Sequence, residues 1–144
     1  MTIEELIARE AIRDTLAQYN VSGDRMRVDD YVASFTEDAV FEVGQTLNGR
    51  EAIRAWLTTP RGGGGAAKPK VKFVRHNITT CKITLTSATT ADVRTYFVVF
   101  TDIGPDHCGY YVDKFRRVGD RWLIAERKAR TDWVSPESVF VASF

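Results

Sequence analysis

Cysteine, histidine and proline are scarce in these 144 residues, which hold two, two and four of them. Cys81 and Cys108 stand far apart and lack the close Cys/His spacing of a zinc site, so no metal is expected and both are read as free thiols. His107 adjoins Cys108, but neighbours on a strand point to opposite faces and would diverge from one ion. No apolar run approaches the roughly 20 residues of a membrane helix. The opening Met1-Thr2-Ile3-Glu4-Glu5 is acidic where a secretory signal is basic. The expectation is a cytoplasmic chain with no membrane partner. Charge of one sign is also missing, for the formal net charge is +1. The densest basic stretch, Lys68-Pro69-Lys70-Val71-Lys72, borders a glycine-rich loop and reads as the solvated approach to a strand, so nucleic acid is not an expected partner.

What is present suits one domain, 1–144, long enough to bury a core unaided. Thr2 can cap a helix with Glu4 and Glu5 in its first turn, and apolar residues follow at Ile3, Leu6, Ile7, Ala11, Leu16 and Tyr19. Asn20 to Asp24, with Gly23, breaks that pattern. A short second helix is predicted from Asp29 or Asp30, burying Tyr31, Val32 and Phe35. Thr36-Glu37-Asp38 reads as a turn, Val40, Phe41 and Val43 as a short strand, and Asn48-Gly49 as the lead into a third helix ending near Trp56-Leu57. Arg61 to Pro69, including Gly62–Gly65, lacks the apolar residues that would repay ordering and is read as a mobile surface loop. From Val71 the texture changes to β-branched and aromatic residues, in four predicted strands: Val71–Leu85, Ala91–Thr101, Gly109–Val118 and Arg121–Thr131. Gly119-Asp120 makes a two-residue hairpin loop. Three helices followed by a meander predict an α+β domain, a cone in which a curved, mostly antiparallel sheet wraps the helices around an apolar pocket. The tail 134–144 is apolar enough to be ordered, over the pocket or on a neighbouring subunit.

Asp24 and His76 are the candidate chemical pair. Taken singly, Asp24 is an ordinary turn carboxylate. His76 shares a strand face with Val74 and Ile78, as a structural core histidine would. Taken together, a carboxylate on one imidazole nitrogen fixes the tautomer and raises the basicity of the other, which can then abstract a proton. Asp106 and His107 fall in the predicted loop Thr101–Cys108 at a hairpin end and are expected to face solvent, with the cone mouth as the alternative.

Several segments carry a family resemblance over nearly the whole chain. They are Arg9-Glu10-Ala11-Ile12-Arg13, Phe35-Thr36-Glu37-Asp38-Ala39-Val40-Phe41, Gly49-Arg50-Glu51-Ala52-Ile53, Arg75-His76, Gly109-Tyr110-Tyr111-Val112-Asp113, and Arg121-Trp122-Leu123-Ile124 with Arg127. In that order the sequence resembles a SnoaL-like member of the nuclear-transport-factor-2-like, ketosteroid-isomerase-like superfamily, and so a cystatin-like α+β roll. Its dehydratases of scytalone and bile acids and its hexachlorocyclohexane dehydrochlorinase use an Asp–His pair. Asp24 and His76 stand at the matching places. The resemblance implies a phenol at Tyr19 assisting a carbonyl or leaving hydroxyl, a cavity arginine at Arg127, and pocket walls at Phe41 and Tyr111. For Tyr19 and Phe41 the alternative is core packing, and for Arg127 a surface ion pair with Glu126 or Asp113. No counterpart is found for the protonated acid of steroid isomerases.

The function expected is a cofactor-independent lyase or isomerase acting on an apolar, ring-containing small molecule, as a homodimer or homotrimer. The alternative is a non-catalytic binding domain, or a structural partner resembling the small subunit of ring-hydroxylating dioxygenases. Composition alone does not choose between them, because such folds host many functions.

Overall fold

The computed structural model describes residues 1–59 and 71–140; the Arg61 to Pro69 loop and the last four residues of the tail lie outside these. Helix α1 covers Ile3–Asp24. Its start is a capping box: the Thr2 hydroxyl accepts the Glu5 N–H at 3.1 Å, and the Glu5 carboxylate accepts the Thr2 N–H at 2.9 Å. The expected break at Asn20 to Asp24 does not occur. Gly23 serves packing instead, because a Cβ there would meet the Tyr31 ring at 3.2 Å. The inward stripe is Ala8, Ile12, Thr15, Leu16 and Tyr19, whereas Ile3, Leu6 and Ile7 are exposed. A turn of roughly 100° per residue sets those three off the stripe, so apolar character misjudged the first two turns.

Helix α2 is Val28–Val32, strand β1 Phe35–Glu42, strand β2 Thr46–Asn48 and helix α3 Gly49–Thr58. The turn expected at Thr36-Glu37-Asp38 is part of β1, where the register slips between Phe35 and Val40. A bulge accommodates polar residues that alternate poorly. The three-residue β2 was not foreseen. Strands β3 (Val74–Leu85), β4 (Thr90–Thr101), β5 (Gly104–Val118) and β6 (Arg121–Val134) follow as a meander. Gly119, at φ +65°, sits in the β5–β6 turn.

The six strands form one curved sheet in the order β2-β1-β6-β5-β4-β3, with the helices N-terminal and packed against it. Only β1 and β6 run parallel; the other neighbours are antiparallel. Residues alternate cleanly on β4, where Ala91, Val93, Thr95, Phe97, Val99 and Thr101 point inward. Ile12, Phe35, Phe41, Ile53, Phe115 and Ile124 are at most 1% exposed and form the centre of the core. Strand β3 ends the sheet, so it carries backbone N–H groups that no neighbouring strand pairs. Among the described residues no helix is long and apolar enough to cross a membrane.

Candidate active site

Between the helices and the concave sheet face lies a cavity of about 720 Å³. Tyr19, Phe41, Trp56, Phe97 and Tyr111 supply aromatic wall, and the half-exposed pair Glu42–Arg130, 2.6 Å, marks the solvent side. Asp24 is the last residue of α1, and His76 is the third of edge strand β3. The Asp24 carboxylate holds His76 twice: Oδ2 accepts the His76 backbone N–H at 2.9 Å, and Oδ1 lies 2.5 Å from Nδ1. The first bond occupies an N–H that the sheet edge leaves unpaired. The second makes Nδ1 the protonated nitrogen, so the Nε2 lone pair is the basic one. Asp24 is nearly sealed, with its side chain 6% exposed, while the His76 ring is 26% exposed and lines the cavity.

Asp106 and His107 overturn the expectation of solvent. Asp106 is fully buried and His107 lines the cavity. Strand β5 begins at Gly104, and between the partners Phe100↔Pro105 and Val99↔His107 it carries one extra residue, Asp106. That bulge turns both side chains inward, where plain alternation would have sent one out. The Asp106 carboxylate lies 2.7 Å from His107 Nδ1 and accepts the hydroxyls of Ser138 at 2.7 Å and Thr101 at 3.3 Å. The tail is tied to the same corner, as the Ser135 N–H donates to the Asp106 carbonyl and Phe140 packs edge-on against His107. Burial lowers the His107 pKa and so does the neighbouring His76, against the pull of Asp106. The two imidazole rings are 6.4 Å apart and nearly perpendicular.

Tyr19 lines the cavity within an aromatic cluster, 4.6 Å from Tyr31 and 5.8 Å from Tyr111 between centroids. Burial, with Tyr19 beside them, pushes the Tyr31 and Tyr111 phenols well up, so both remain protonated donors. Phe41 and Tyr111 take part in the wall and in the core together. Arg127 is elsewhere. It faces Asp113 across β5 and β6, bonded by Nε–Oδ1 at 2.8 Å and Nη2–Oδ2 at 2.7 Å, with neither side chain exposed. The Tyr19 and Tyr111 rings cover its guanidinium at 4.2 and 3.8 Å. Arg127 therefore lies behind the aromatic wall and does not line the cavity. Its pairing with Asp113 is a buried one, not the surface contact weighed for it. Burial works against both charges: it raises the Asp113 pKa against the pull of Arg127, while at Arg127 the facing carboxylate outweighs burial and raises the pKa; the two-point geometry is that of a charged pair.

Sequence reasoning missed Asn20, Tyr31 and Phe97 as wall residues and assigned His107 to solvent over the cone mouth. The adjacent Asp106-His107 was a visible signal, but only the bulge gives it a direction. No group of three His, Cys, Asp or Glu side chains among the described residues is placed to hold a metal ion.

Residues 4–128 match the family described as SnoaL-like domain. In structure the chain is similar to a candidate scytalone dehydratase from Novosphingobium aromaticivorans, with TM-score 0.80, 23% identity, and coverage of 96% of this chain and 93% of that one. It is similar to the hexachlorocyclohexane dehydrochlorinase LinA-type3 of Novosphingobium barchaimii, with TM-score 0.77, 16% identity, and coverage of 95% and 94%. It is also similar to the beta subunit of a candidate aromatic-ring-hydroxylating dioxygenase from N. aromaticivorans, with TM-score 0.74, 20% identity, and coverage of 97% and 99%. No curated protein matches the sequence.

Proposed function

The chain belongs to the SnoaL-like domain family, and from that membership we propose that it is a cofactor-independent lyase or isomerase that takes a carbon-bound proton from an apolar, ring-containing small molecule. The observation that carries this reading is the double grip of Asp24 on His76 inside an aromatic cavity. His76 Nε2 is the base. Asp24 holds the ring in place and stabilises the imidazolium once the proton has moved. The charge left on the substrate oxygen is met by phenol O–H groups of the tyrosine cluster, with Tyr19 the sequence-derived candidate. His107, kept neutral by burial and by its neighbour, avoids placing a second positive charge against the imidazolium. Arg127 has no part in contact with substrate; it stiffens the wall behind Tyr19 and Tyr111. Proteins of similar fold described as a dehydratase and a dehydrochlorinase support an elimination after proton removal.

The test uses 2-tetralone in deuterium oxide, where NMR follows exchange at the carbons beside the carbonyl. The wild-type protein accelerates exchange over buffer, and His76→Ala loses that acceleration. Equal exchange by the two proteins sinks the reading.

A second reading, a structural subunit, draws on the likeness to a dioxygenase beta subunit and on the apolar outer face of the sheet, where Tyr96, Phe100 and Val112 are exposed. On either reading that face is proposed to be covered by further copies, as a dimer or trimer. Light scattering on the purified chain tests this, and a monomer at micromolar concentration removes it.

A further inference from the structure

Five buried side-chain polar atoms have no hydrogen-bond partner among the described residues: Arg9 Nε, Asn20 Oδ1, Thr36 Oγ1, Thr95 Oγ1 and Arg127 Nη1. Of these residues, Asn20 alone lines the cavity. It is 6% exposed and sits on α1 between Tyr19 and Asp24. Asn20 and Asp24 are four residues apart, hence on one helix face with Cβ atoms roughly 5–6 Å apart. The unpaired carbonyl is thus one helical turn from the carboxylate that holds His76.

No contact among the described residues explains an asparagine here. Asparagine is a weak helix former away from the ends. A buried carbonyl without a donor is unfavourable, whereas leucine has the same branching and the same number of side-chain heavy atoms and would suit the aromatic wall. The oxygen becomes satisfied when something in the cavity donates to it, and the broad terminal torsion of an amide lets it turn to do so. We infer that Asn20 is a ligand-recognition residue, accepting a hydrogen bond from a hydroxyl or N–H group carried on the ring of the substrate. This deepens the proposed function and rests on it. A carbonyl acceptor within one turn of the dyad places a donor group near the carbon that yields its proton. The substrate class is then a hydroxylated ring compound, with loss of water in preference to loss of halide. Fully halogenated or hydrocarbon rings leave the amide unmet and are discriminated against.

The test compares two ring probes of similar shape, 2-naphthol, which donates, and 2-methoxynaphthalene, which does not. Fluorescence titration gives the ratio of their Kd values for the wild type, Asn20→Leu and Asn20→Ala, with thermal midpoints measured alongside. The wild type favours naphthol, and both Asn20 variants shrink the preference by about tenfold, the worth of one neutral hydrogen bond. Asn20→Leu also melts at or above the wild-type temperature, since an unmet carbonyl has been removed. A preference unchanged within about twofold in either folded Asn20 variant overturns the inference and leaves the role of His76 standing. A lower midpoint for Asn20→Leu with an unchanged preference assigns Asn20 to the scaffold and overturns it as well. If the wild type binds neither probe, the inference and the pocket reading beneath it both fail. Should His76→Ala retain exchange while the Asn20 variants lose selectivity, the chemistry is wrong and the recognition residue survives.

Discussion

Two acid–base pairs stand on either side of one aromatic wall. Asp113–Arg127 is closed off on all sides, bidentate and roofed by Tyr19 and Tyr111. Asp24–His76 is closed on the carboxylate side and open on the imidazole side. Both are short, and both join residues that belong to different elements. The difference is access: a charge pair with no open atom can only hold strands together, while a sealed carboxylate with an accessible imidazole can pass a proton to a ligand. Burial by itself therefore does not mark the chemical group, since the more buried pair is the structural one.

That contrast can be broken by exchanging the expected effects. His76→Ala should reduce deuterium exchange by about 10²–10⁴-fold, the usual contribution of a positioned base, with a thermal midpoint close to wild type. A large loss of stability with exchange intact would merge the two pairs into one structural class. Asp113→Leu should do the reverse, costing about 3–5 kcal/mol in urea denaturation because a guanidinium is left buried and unpaired. Adding Arg127→Met to it should recover most of that loss, as apolar replacements of buried ion pairs often do; failure to recover would show that the charge itself is required. Asp24→Asn should lower exchange by about 10²-fold, within the range of a lost acid–base partner, because the neutral amide still meets the backbone N–H but no longer balances an imidazolium. The smallest effect concerns His107. Its pKa is lowered from an ordinary value near 6.5, so below that pH the unfolded chain takes up a proton more readily than the folded one. Stability is complete above about pH 6.5 and falls as acidity increases toward the folded value. His107→Asn should flatten the decline of the thermal midpoint between pH 7 and 5.5, and an unchanged slope would place the titration elsewhere.

The helices-then-meander order and the four long strands were legible because periodicity and β-branched texture are local. The turn at Thr36–Asp38 and the solvent placement of Asp106 and His107 were misjudged for a shared reason. A β-bulge inserts one residue and re-aims its neighbours, and this depends on the partner strand. Gly23 looked like a helix stop because its packing partner, Tyr31, lies on the next helix. His76 could be placed on an apolar strand face, but its contact with Asp24 spans 52 positions and was suggested only by resemblance. The cover over Arg127 comes from α1 and β5 together, which spacing along β6 cannot show. Gly109 belongs with these: a Cβ there would come within 3.0 Å of Phe97 and overlap the Arg130 backbone, a constraint set entirely by strands that close on it.

The double bond from Asp24 to His76 also bears on the order in which the chain acquires its properties. Closing a loop of that length costs more chain entropy than forming the β5–β6 hairpin, whose strands meet across Gly119-Asp120. Burial of Trp122 between helix and sheet can proceed while the end of α1 is still searching for the edge of β3. In a refolding experiment with Trp56 and Trp133 replaced by Phe, so that Trp122 alone reports, its signal should therefore lead, and the return of proton exchange should follow. The base is then a clock for the final step of folding.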